Sequence, residues 1–277
     1  QCLAANVING ITGILNGTTN YILTRMKNEG IDFKEALKGA QLNGYAEADP
    51  TDDIAGIAAC RNIALLSSIA YNEFVDARNI HTEGISNISL TDIQYAEAMN
   101  STIKLIAISK RAGDRIFARV SPAIISRDHP LYNVEDVFNA IVVKGDAIGE
   151  AMFYGRGAGK LPTASAVVAD IIDIARHNET VKNVWVRRDY DNTVPIEDSE
   201  TRYFVRLIAC NREEAWKYIG EVFGKVEMIS LPGKEPGDEL AFATSRASEK
   251  VLSGYVEALK GNASVREVLS VIRIEQE

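Results

Sequence analysis

The chain has 277 residues, and its 30 lysines and arginines against 38 aspartates and glutamates give a net charge of −8. Hydrophobic residues make up 46% and charged residues 25%, a globular composition that excludes disordered, collagen-like and low-complexity chains. The acidic balance, without a lysine- or arginine-rich run, argues against nucleic-acid binding, and no apolar stretch approaches the roughly 20 residues that span a bilayer.

The first part of the chain predicts a strand and a series of helices. The β-branched run 6–15 predicts a strand, and the polar turn 16–20 that follows can cap a helix. Asp32 is the expected cap of a second helix. After a polar turn over 43–50, the spacing of apolar residues predicts one long helix over 52–71.

A mixed sheet is predicted for the next hundred residues. Residues 85–90 alternate as in a strand, and Thr91 is the expected cap of a short helix. Four more strands are predicted over 102–109, 115–121, 137–145 and 150–154. Pro162 lies in the first turn of a helix that continues to Arg176, a position that favours proline.

The remaining residues predict a linker and a second domain. Residues 179–200 are polar and without periodicity, which indicates a linker. Residues 201–277 follow the ferredoxin-like order strand, helix, strand, strand, helix, strand. The predicted fold class is α+β, with a mixed sheet covered by helices over 1–178 followed by a small βαββαβ domain.

The few cysteines and histidines, and their spacing, argue against several kinds of functional site. The cysteines and histidines are Cys2, Cys60, Cys210, His81, His129 and His177. The cysteines are scattered and odd in number, which indicates a reducing, cytoplasmic compartment. The histidines are about fifty residues apart, so surface or capping roles are favoured over a metal site, and none is predicted. A serine hydrolase is disfavoured because the chain has no Gly-x-Ser-x-Gly turn.

Four carboxylates lie within seven residues, at Glu47, Asp49, Asp52 and Asp53. One explanation is capping of the following helix, where each acid contributes roughly 0.3–1 kcal/mol. One or two acids are sufficient for that role. Clustered carboxylates repel each other unless a cation lies among them, so the alternative is a site for a polar or cationic ligand.

A glycine-rich segment, GRGAGK, occupies residues 155–160. It differs from a Walker A loop, because Tyr154 stands where the first glycine belongs and Leu161 follows the lysine. A glycine-rich turn before a helix lets backbone N–H groups approach a ligand, although a plain tight turn explains the same residues. The turn 16–19 has a similar form, and several such turns would suit a substrate site at strand ends.

Three segments together resemble the homoserine dehydrogenases. They are GILNGTTNYIL over 13–23, GYAEADPTDD over 44–53, and GRGAG over 155–159 with PTASA over 162–166. Their order and spacing also fit that family. The resemblance identifies residues 1–178 as similar to the family's substrate-binding and dimerisation domain, and residues 201–277 as similar to the regulatory ACT domain that many members carry.

The resemblance implies NAD(P)-dependent interconversion of aspartate semialdehyde and homoserine, on the pathway to threonine and methionine. It places Thr18, Tyr45, Glu47 and Asp53 at positions that contact homoserine, and Gly159 where the glycine-rich turn meets the cofactor. Homoserine is a zwitterion, and its ammonium group favours a carboxylate partner such as Glu47. A homodimer is also implied.

Two positions depart from the family pattern. Ala58 and Asn62 stand where the family carries an aspartate and a lysine four residues apart, and that lysine is the expected proton donor or acceptor. Both positions are expected to be inactive, because asparagine cannot transfer a proton as lysine does. Arg61 is no substitute, since it lies about 100° round the helix and its pKa is too high.

Further departures concern the ends of the chain. The chain begins at Gln1 rather than methionine, and the resemblance places a nucleotide-binding domain before that residue. The expectation is therefore that this chain lacks the NAD(P)-binding domain and does not turn over alone. The ACT-like part has neither proline nor glycine over 209–213, where an amino-acid effector would bind. The alternatives are a non-catalytic relative that binds an amino acid or a partner enzyme as a regulatory subunit, and a dimerisation scaffold without a ligand.

Overall fold

The computed structural model describes residues 3–176, 185–233 and 237–275. Its helices are α1 Gly17–Glu29, α2 Phe33–Leu42, α3 Thr51–Ile54, α4 Ile57–Tyr71, α5 Leu90–Ala98, α6 Lys160–Arg176, α7 Arg212–Phe223 and α8 Glu249–Lys260. Its strands are β1 Ile8–Ile14, β2 His81–Thr82, β3 Ser101–Ala112, β4 Arg115–Ser126, β5 Phe138–Gly145, β6 Gly149–Arg156, β7 Glu200–Ala209, β8 Val226–Met228, β9 Glu239–Thr244, β10 Ala247–Ser248 and β11 Val265–Glu275. Among these described residues, no helix has the length and apolar composition to cross a membrane.

The strands form one mixed sheet in the order β6-β5-β1-β3-β4-β11-β7-β9-β8. Most neighbours are antiparallel, whereas β4 pairs in parallel with both β11 and the short β2. β10 adds a short antiparallel pairing to β7. This large mixed sheet with its helices confirms the predicted α+β class.

The main core lies between the sheet and helices α1, α2, α4 and α5. Ile22, Ile63 and Ile93 are buried on three of these helices. α1 begins where Asn16 accepts a hydrogen bond from Thr19 N, and it ends at Gly30, whose φ of 66° is left-handed. Side-chain capping and a left-handed glycine are common helix boundaries, so local sequence sets the limits of this helix.

A buried lysine fixes the loop before β5 to α1. The Lys104 ammonium donates hydrogen bonds to Asn20 Oδ1 at 3.1 Å and to Val134 O at 2.6 Å. Burial lowers the pKa of Lys104 to about 8, since a low-dielectric environment disfavours the charged form. Asn20 Nδ2 also donates to Val134 O and Phe138 O, so the ends of α1 and β5 are held together.

The single long helix predicted over 52–71 is wrong, because the structure has two helices there. α3 and α4 are separated at Gly56, which has a left-handed φ of 80°. This conformation ends the first helix and turns the chain into the second. Leu65 and Ile69, two of the apolar residues in that pattern, are 49% and 52% exposed.

The strand predicted over 85–90 is also wrong. Ile85 N donates to Ile54 O and Ile88 N donates to Ile85 O, so these residues form a turn that buries both isoleucines. The cap of α5 is Ser89 rather than Thr91. Ser89 accepts from Asp92 N while Asp92 accepts from Ser89 N, a reciprocal capping box.

The segment predicted to be a linker packs against the main body where the structure describes it. Residues 179–184 of this linker, together with His177, lie outside the described residues. Further along, Arg188 pairs with Glu73 at 3.1 Å, and Asn192 Nδ2 donates to Glu73 and to Phe74 O. This part of the segment is therefore anchored by buried and half-buried polar contacts.

The C-terminal elements have the strand order β11-β7-β9-β8 and their own core beneath α7 and α8. The pairing of β4 with β11, from Arg273↔Ala123 to Glu275↔Ile125, joins them to the rest of the sheet. Two ionic contacts cross this junction: Arg273 pairs with Glu83 at 2.8 Å, and Arg119 pairs with Glu275. Within the C-terminal elements, Arg273 also pairs with Glu249.

Candidate functional site

A cavity of about 790 Å³ lies at the ends of β1 and β5. Its lining comes from residues 15–18, from 44–47 with Asp53, from the start of β5, and from 156–162. Of the residues singled out from the sequence, Thr18, Tyr45, Glu47, Asp53 and Gly159 line this cavity. Ala58 and Asn62 are outside its lining.

Asn16 connects the helix α1 to the acidic segment. Its Oδ1 accepts from Thr19 N at 2.9 Å, and its Nδ2 donates to Asp53 Oδ1 at 2.8 Å. The same side chain thus caps a helix and orients a carboxylate at the cavity. The capping role follows from the sequence, but the contact with Asp53 depends on the tertiary fold.

Thr18 and Tyr45 are also linked. Thr18 Oγ1 donates to Tyr45 O at 2.7 Å, which joins the turn after β1 to the turn before α3. The Tyr45 ring packs against the ring of Tyr21, with centroids 4.9 Å apart, and Tyr45 remains 43% exposed. The Thr18 hydroxyl therefore has its proton engaged while its oxygen can still accept a hydrogen bond.

The four clustered acids have different roles. Asp49 accepts from Thr51 Oγ1 at 2.5 Å and Thr51 N at 3.2 Å, and these bonds lower the pKa of Asp49. Asp52 pairs with Arg61 at 2.6 Å. Glu47 and Asp53 line the cavity. Asp49 thus satisfies the backbone N–H at the start of α3, whereas Glu47 and Asp53 lie at the cavity.

The helix α4 carries the two unusual positions on one face. Asn62 Nδ2 donates to Leu15 O at 3.1 Å, and Ala58 lies one turn earlier. Leu15 is itself part of the cavity wall, so Asn62 supports the wall from behind. Arg61 is directed to Asp52, which leaves it exposed on another side of the helix.

The glycine-rich segment brings positive charge to the same cavity. Arg156 and Lys160 line it, and the Arg156 guanidinium lies 4.8 Å from the centroid of the Phe138 ring. Gly159 has a φ of 114°, a conformation that favours glycine. Two cations and two carboxylates in one cavity suit a zwitterionic ligand.

Asn139 is a lining residue that sequence reasoning missed. It lies at the start of the apolar strand β5, where no motif marks it. Within the residues that the structure describes, no group of three histidine, cysteine, aspartate or glutamate side chains is placed to hold a metal ion.

Comparison with known proteins identifies the family. The homoserine dehydrogenase family profile matches residues 1–172. A homoserine dehydrogenase of Synechocystis sp. is 40% identical over 291 residues, which cover 99% of this chain and 67% of that protein. The crystal structure of a Thiobacillus denitrificans homoserine dehydrogenase superposes with a TM-score of 0.89 at 34% identity, covering 100% of this chain and 66% of that one.

A hyperthermophilic archaeal homoserine dehydrogenase mutant in complex with NADPH is similar over a shorter region. Its TM-score is 0.53 at 32% identity, with 63% of this chain and 49% of that one covered. The chain spans about two thirds of the length of the Synechocystis and Thiobacillus relatives. The family profile and these identities show that the chain belongs to the homoserine dehydrogenase family.

Proposed function

We propose that this chain forms the substrate-binding part of a homoserine dehydrogenase, which interconverts aspartate semialdehyde and homoserine with NAD(P) in threonine and methionine biosynthesis. The observation that carries the proposal is the cavity in which Glu47 and an oriented Asp53 lie with Arg156 and Lys160. The acids suit the ammonium group of homoserine and the cations suit its carboxylate, because charge-assisted hydrogen bonds are the strongest available.

The glycine-rich turn 155–160 is the part of the chain that we expect to contact the NAD(P) cofactor. Gly159 has no side chain, and a Cβ built there would meet only Pro162, at 3.7 Å, so the backbone is open to a close approach. Lys160 and the first turn of α6 add positive charge there. NAD(P), when bound, accepts or returns the hydride; Gly159 and Lys160 would contact it.

A residue of the protein must accept the proton that homoserine releases when it is oxidised. Oxidation of homoserine removes a hydride from the carbon that bears the hydroxyl and a proton from the hydroxyl oxygen. Asn62 cannot accept that proton, and its side chain is already engaged with Leu15 O. We therefore propose that the isolated chain binds homoserine without measurable turnover.

Calorimetry of L-homoserine binding tests the substrate site. Glu47→Ala should weaken the affinity at least about tenfold, because the substrate ammonium loses a carboxylate partner. Asp52→Ala is the matched control, since it removes an acid of the same segment that pairs with Arg61 outside the cavity lining. Its affinity should remain within about twofold of the parent chain.

Two results would contradict the proposed site. Absence of homoserine binding by the parent chain would reject the substrate assignment. Equal affinities of Glu47→Ala and the parent chain would reject the role of Glu47. Thermal unfolding of each variant distinguishes a lost contact from a lost fold.

A regulatory subunit that binds an amino acid or a partner enzyme is a second candidate function. The contact from Asn62 to Leu15 O supports it, because this position has a structural bond and no proton-transfer group. A steady-state assay of the full-length gene product with homoserine and NADP⁺ separates the two. Turnover favours the enzyme, whereas homoserine binding without turnover favours the regulatory subunit.

We further propose an ACT-type regulatory role for residues 201–277. Support comes from the order β11-β7-β9-β8 with two helices on one face, which matches the ferredoxin-like arrangement. The turn before α7 is occupied by Asn211, which accepts from Glu213 N and Glu214 N. An amino-acid effector would therefore have to bind elsewhere in this part.

We also propose that the protein forms a homodimer and is located in the cytoplasm. The sheet ends at β6, where Met152, Phe153 and Tyr154 are 49%, 45% and 54% exposed. An exposed apolar edge strand favours association with another chain. Cys60 and Cys210 are free thiols, which supports a reducing compartment. Light scattering that gave only the monomer mass would contradict the dimer.

A further inference from the structure

We propose that a second cavity binds a small oxyanion, a phosphate or a carboxylate group, independently of the proposed homoserine site. This second cavity has a volume of about 300 Å³ and shares no lining residue with the cavity that contains Glu47. Its lining includes Lys110 of β3, Lys144 of β5 and Arg246 of the turn between β9 and β10. All three residues are exposed, so a ligand in solution can reach them.

The pairing of three strands places two lysines on either side of a glycine. Gly10 of β1 is directly opposite Lys110 on one side and Lys144 on the other. Residues directly opposite each other in antiparallel strands project to the same face of the sheet. Because neighbouring strands are about 4.8 Å apart, the two lysines leave the sheet roughly 10 Å from each other. Their long side chains can close over one small anion held above Gly10.

Gly10 leaves the floor of the second cavity open. A Cβ built there would lie 3.5 Å from Ser109 O and 3.7 Å from Lys110 Cγ, which are ordinary van der Waals contacts. The stem of Lys110 therefore passes beside a position that no side chain fills. Gly10 is also not among the glycines with a left-handed backbone, so this strand can accept a side chain at that position.

Lys110 is the charged lining group without an opposite charge. Within the described residues 3–176, 185–233 and 237–275, its ammonium group forms no ion pair and no hydrogen bond. Partial desolvation, and then the positive charges of Arg119, Arg246 and Lys144, lower the pKa of Lys110. An anion bound among these cations would relieve their mutual repulsion. The other charged groups of the lining are paired: Lys144 with Glu150 at 3.8 Å, Arg246 with Glu200 at 3.1 Å, and Glu275 with Arg119.

The second cavity also lies where the two parts of the sheet meet. Arg246 comes from the C-terminal elements, whereas Lys110 and Lys144 come from the first part of the chain. An anion that contacts Lys110 and Arg246 together would connect the two parts. Because a ligand that binds only the folded state stabilises it, the bound anion should raise the unfolding temperature.

Calorimetric titration of the full-length gene product with sodium phosphate tests the inference. Lys110→Met should weaken phosphate about fivefold to tenfold, the usual effect of losing one exposed charge-assisted hydrogen bond. Lys217→Met is the control, because it removes an equal charge from an exposed lysine of α7 outside the cavity lining. Its phosphate affinity should stay within about twofold of the parent protein. Equal weakening by the two substitutions would overturn the site.

Sodium acetate in place of phosphate distinguishes the two kinds of oxyanion. Acetate binding that also depends on Lys110 would show that a single carboxylate is recognised. Phosphate binding without acetate binding would show that a phosphate group is recognised. Binding of neither anion by the parent protein would overturn the inference.

A side chain introduced at Gly10 provides an independent test. Gly10→Asp should place a carboxylate between Lys110 and Lys144, so it should abolish phosphate binding and raise the unfolding temperature in phosphate-free buffer. Gly10→Asn is the control, because it has nearly the same size without the charge. It should weaken phosphate binding without the gain in unfolding temperature. Equal unfolding temperatures for the two variants would mean that no anion is favoured at this position.

Discussion

Asparagine side chains perform three distinct tasks around the cavity. Asn16 caps α1 and orients Asp53, Asn62 supports the wall at Leu15 O, and Asn139 has an unpaired oxygen. The amide group suits all three because it both donates and accepts hydrogen bonds. None of the three can take a proton from a hydroxyl group at neutral pH, so they serve binding and positioning.

Restoring the family's residues tests whether proton transfer is the missing function. Ala58→Asp together with Asn62→Lys, made in the full-length gene product, should raise kcat for homoserine oxidation by on the order of 10²–10⁴. The expected gain comes from a general acid–base group at position 62. Steady-state assays with NADP⁺ measure it, and Ala58→Asp with Asn62→Gln is the control. An unchanged kcat would mean that these positions do not carry the proton.

Much of the candidate site could be located from local sequence, because its residues belong to turns with recognisable motifs. Thr18, Glu47 and Gly159 lie in three such turns, and the structure brings these turns to one cavity. The different contacts of the four acids could not be predicted, since they depend on partners such as Asn16 and Arg61 that the tertiary fold brings near. Asn139 carries no local signal, because its surroundings come from distant parts of the chain.

At the scale of elements, the junction of α3 and α4 determines where the site's acidic segment ends. Gly56 turns the chain there with a φ of 80°. A Cβ at this position would lie 3.1 Å from Glu83 O and 3.2 Å from Thr82 Cγ2. The junction is therefore restricted both by backbone conformation and by close packing.

Replacing Gly56 should destabilise the protein more than replacing a glycine with open surroundings. Gly56→Ala should lower the free energy of unfolding by about 2–4 kcal/mol, from left-handed strain and crowding. Gly113→Ala is the control, because its φ is 67° and a Cβ there meets nothing within 4 Å. It should cost only about 1 kcal/mol. Urea unfolding measures both, and equal losses would mean that packing at Gly56 contributes nothing.

The wrongly predicted elements show that the spacing of apolar residues does not by itself determine secondary structure. Residues 85–90 were predicted as a strand, but Ile85 and Ile88 are three positions apart and both are buried from a turn. The backbone partner of Ile85 is Ile54 O, which is distant in sequence. Strands with long apolar runs, such as β3 and β4, were predictable because their pattern is sufficient without distant contacts.

At the scale of the whole molecule, charged groups hold the two parts of the sheet together. Arg273 of β11 pairs with Glu83 across the junction, and Arg119 of β4 pairs with Glu275. Asp92 of α5 pairs with Arg206 of β7 at 2.8 Å. Removal of one partner from a buried pair leaves an uncompensated charge, so these contacts favour one relative position of the two parts.

Acid should weaken this junction through Glu83. Burial opposes ionisation of Glu83, but hydrogen bonds from His81 and Arg273 outweigh it and bring its pKa to about 2, below 4.5. A lowered pKa contributes stability above pH 4.5 that is lost as the pH falls toward 2. Because the carboxylate is 40% exposed, Glu83→Gln should cost only about 1 kcal/mol at pH 5.

Urea unfolding between pH 5 and pH 2 measures this effect. The difference in unfolding free energy between the parent chain and Glu83→Gln should shrink progressively as the pH falls from 5 toward 2. Glu97→Gln, which changes an exposed acid outside the junction, is the control and should show little difference at any pH. A difference for Glu83→Gln that stayed constant with pH would show that its ionisation is not what stabilises the junction.

The position of β11 between β4 and β7 also affects how the protein is made. A ribosome releases β4 and β7 long before it releases residues 265–275, which pair with both. Until then, hydrogen-bonding edges of both strands face the crowded surroundings of the growing chain, where such edges attract other polypeptides. We therefore expect the chain to be most exposed to aggregation before β11 pairs with both strands.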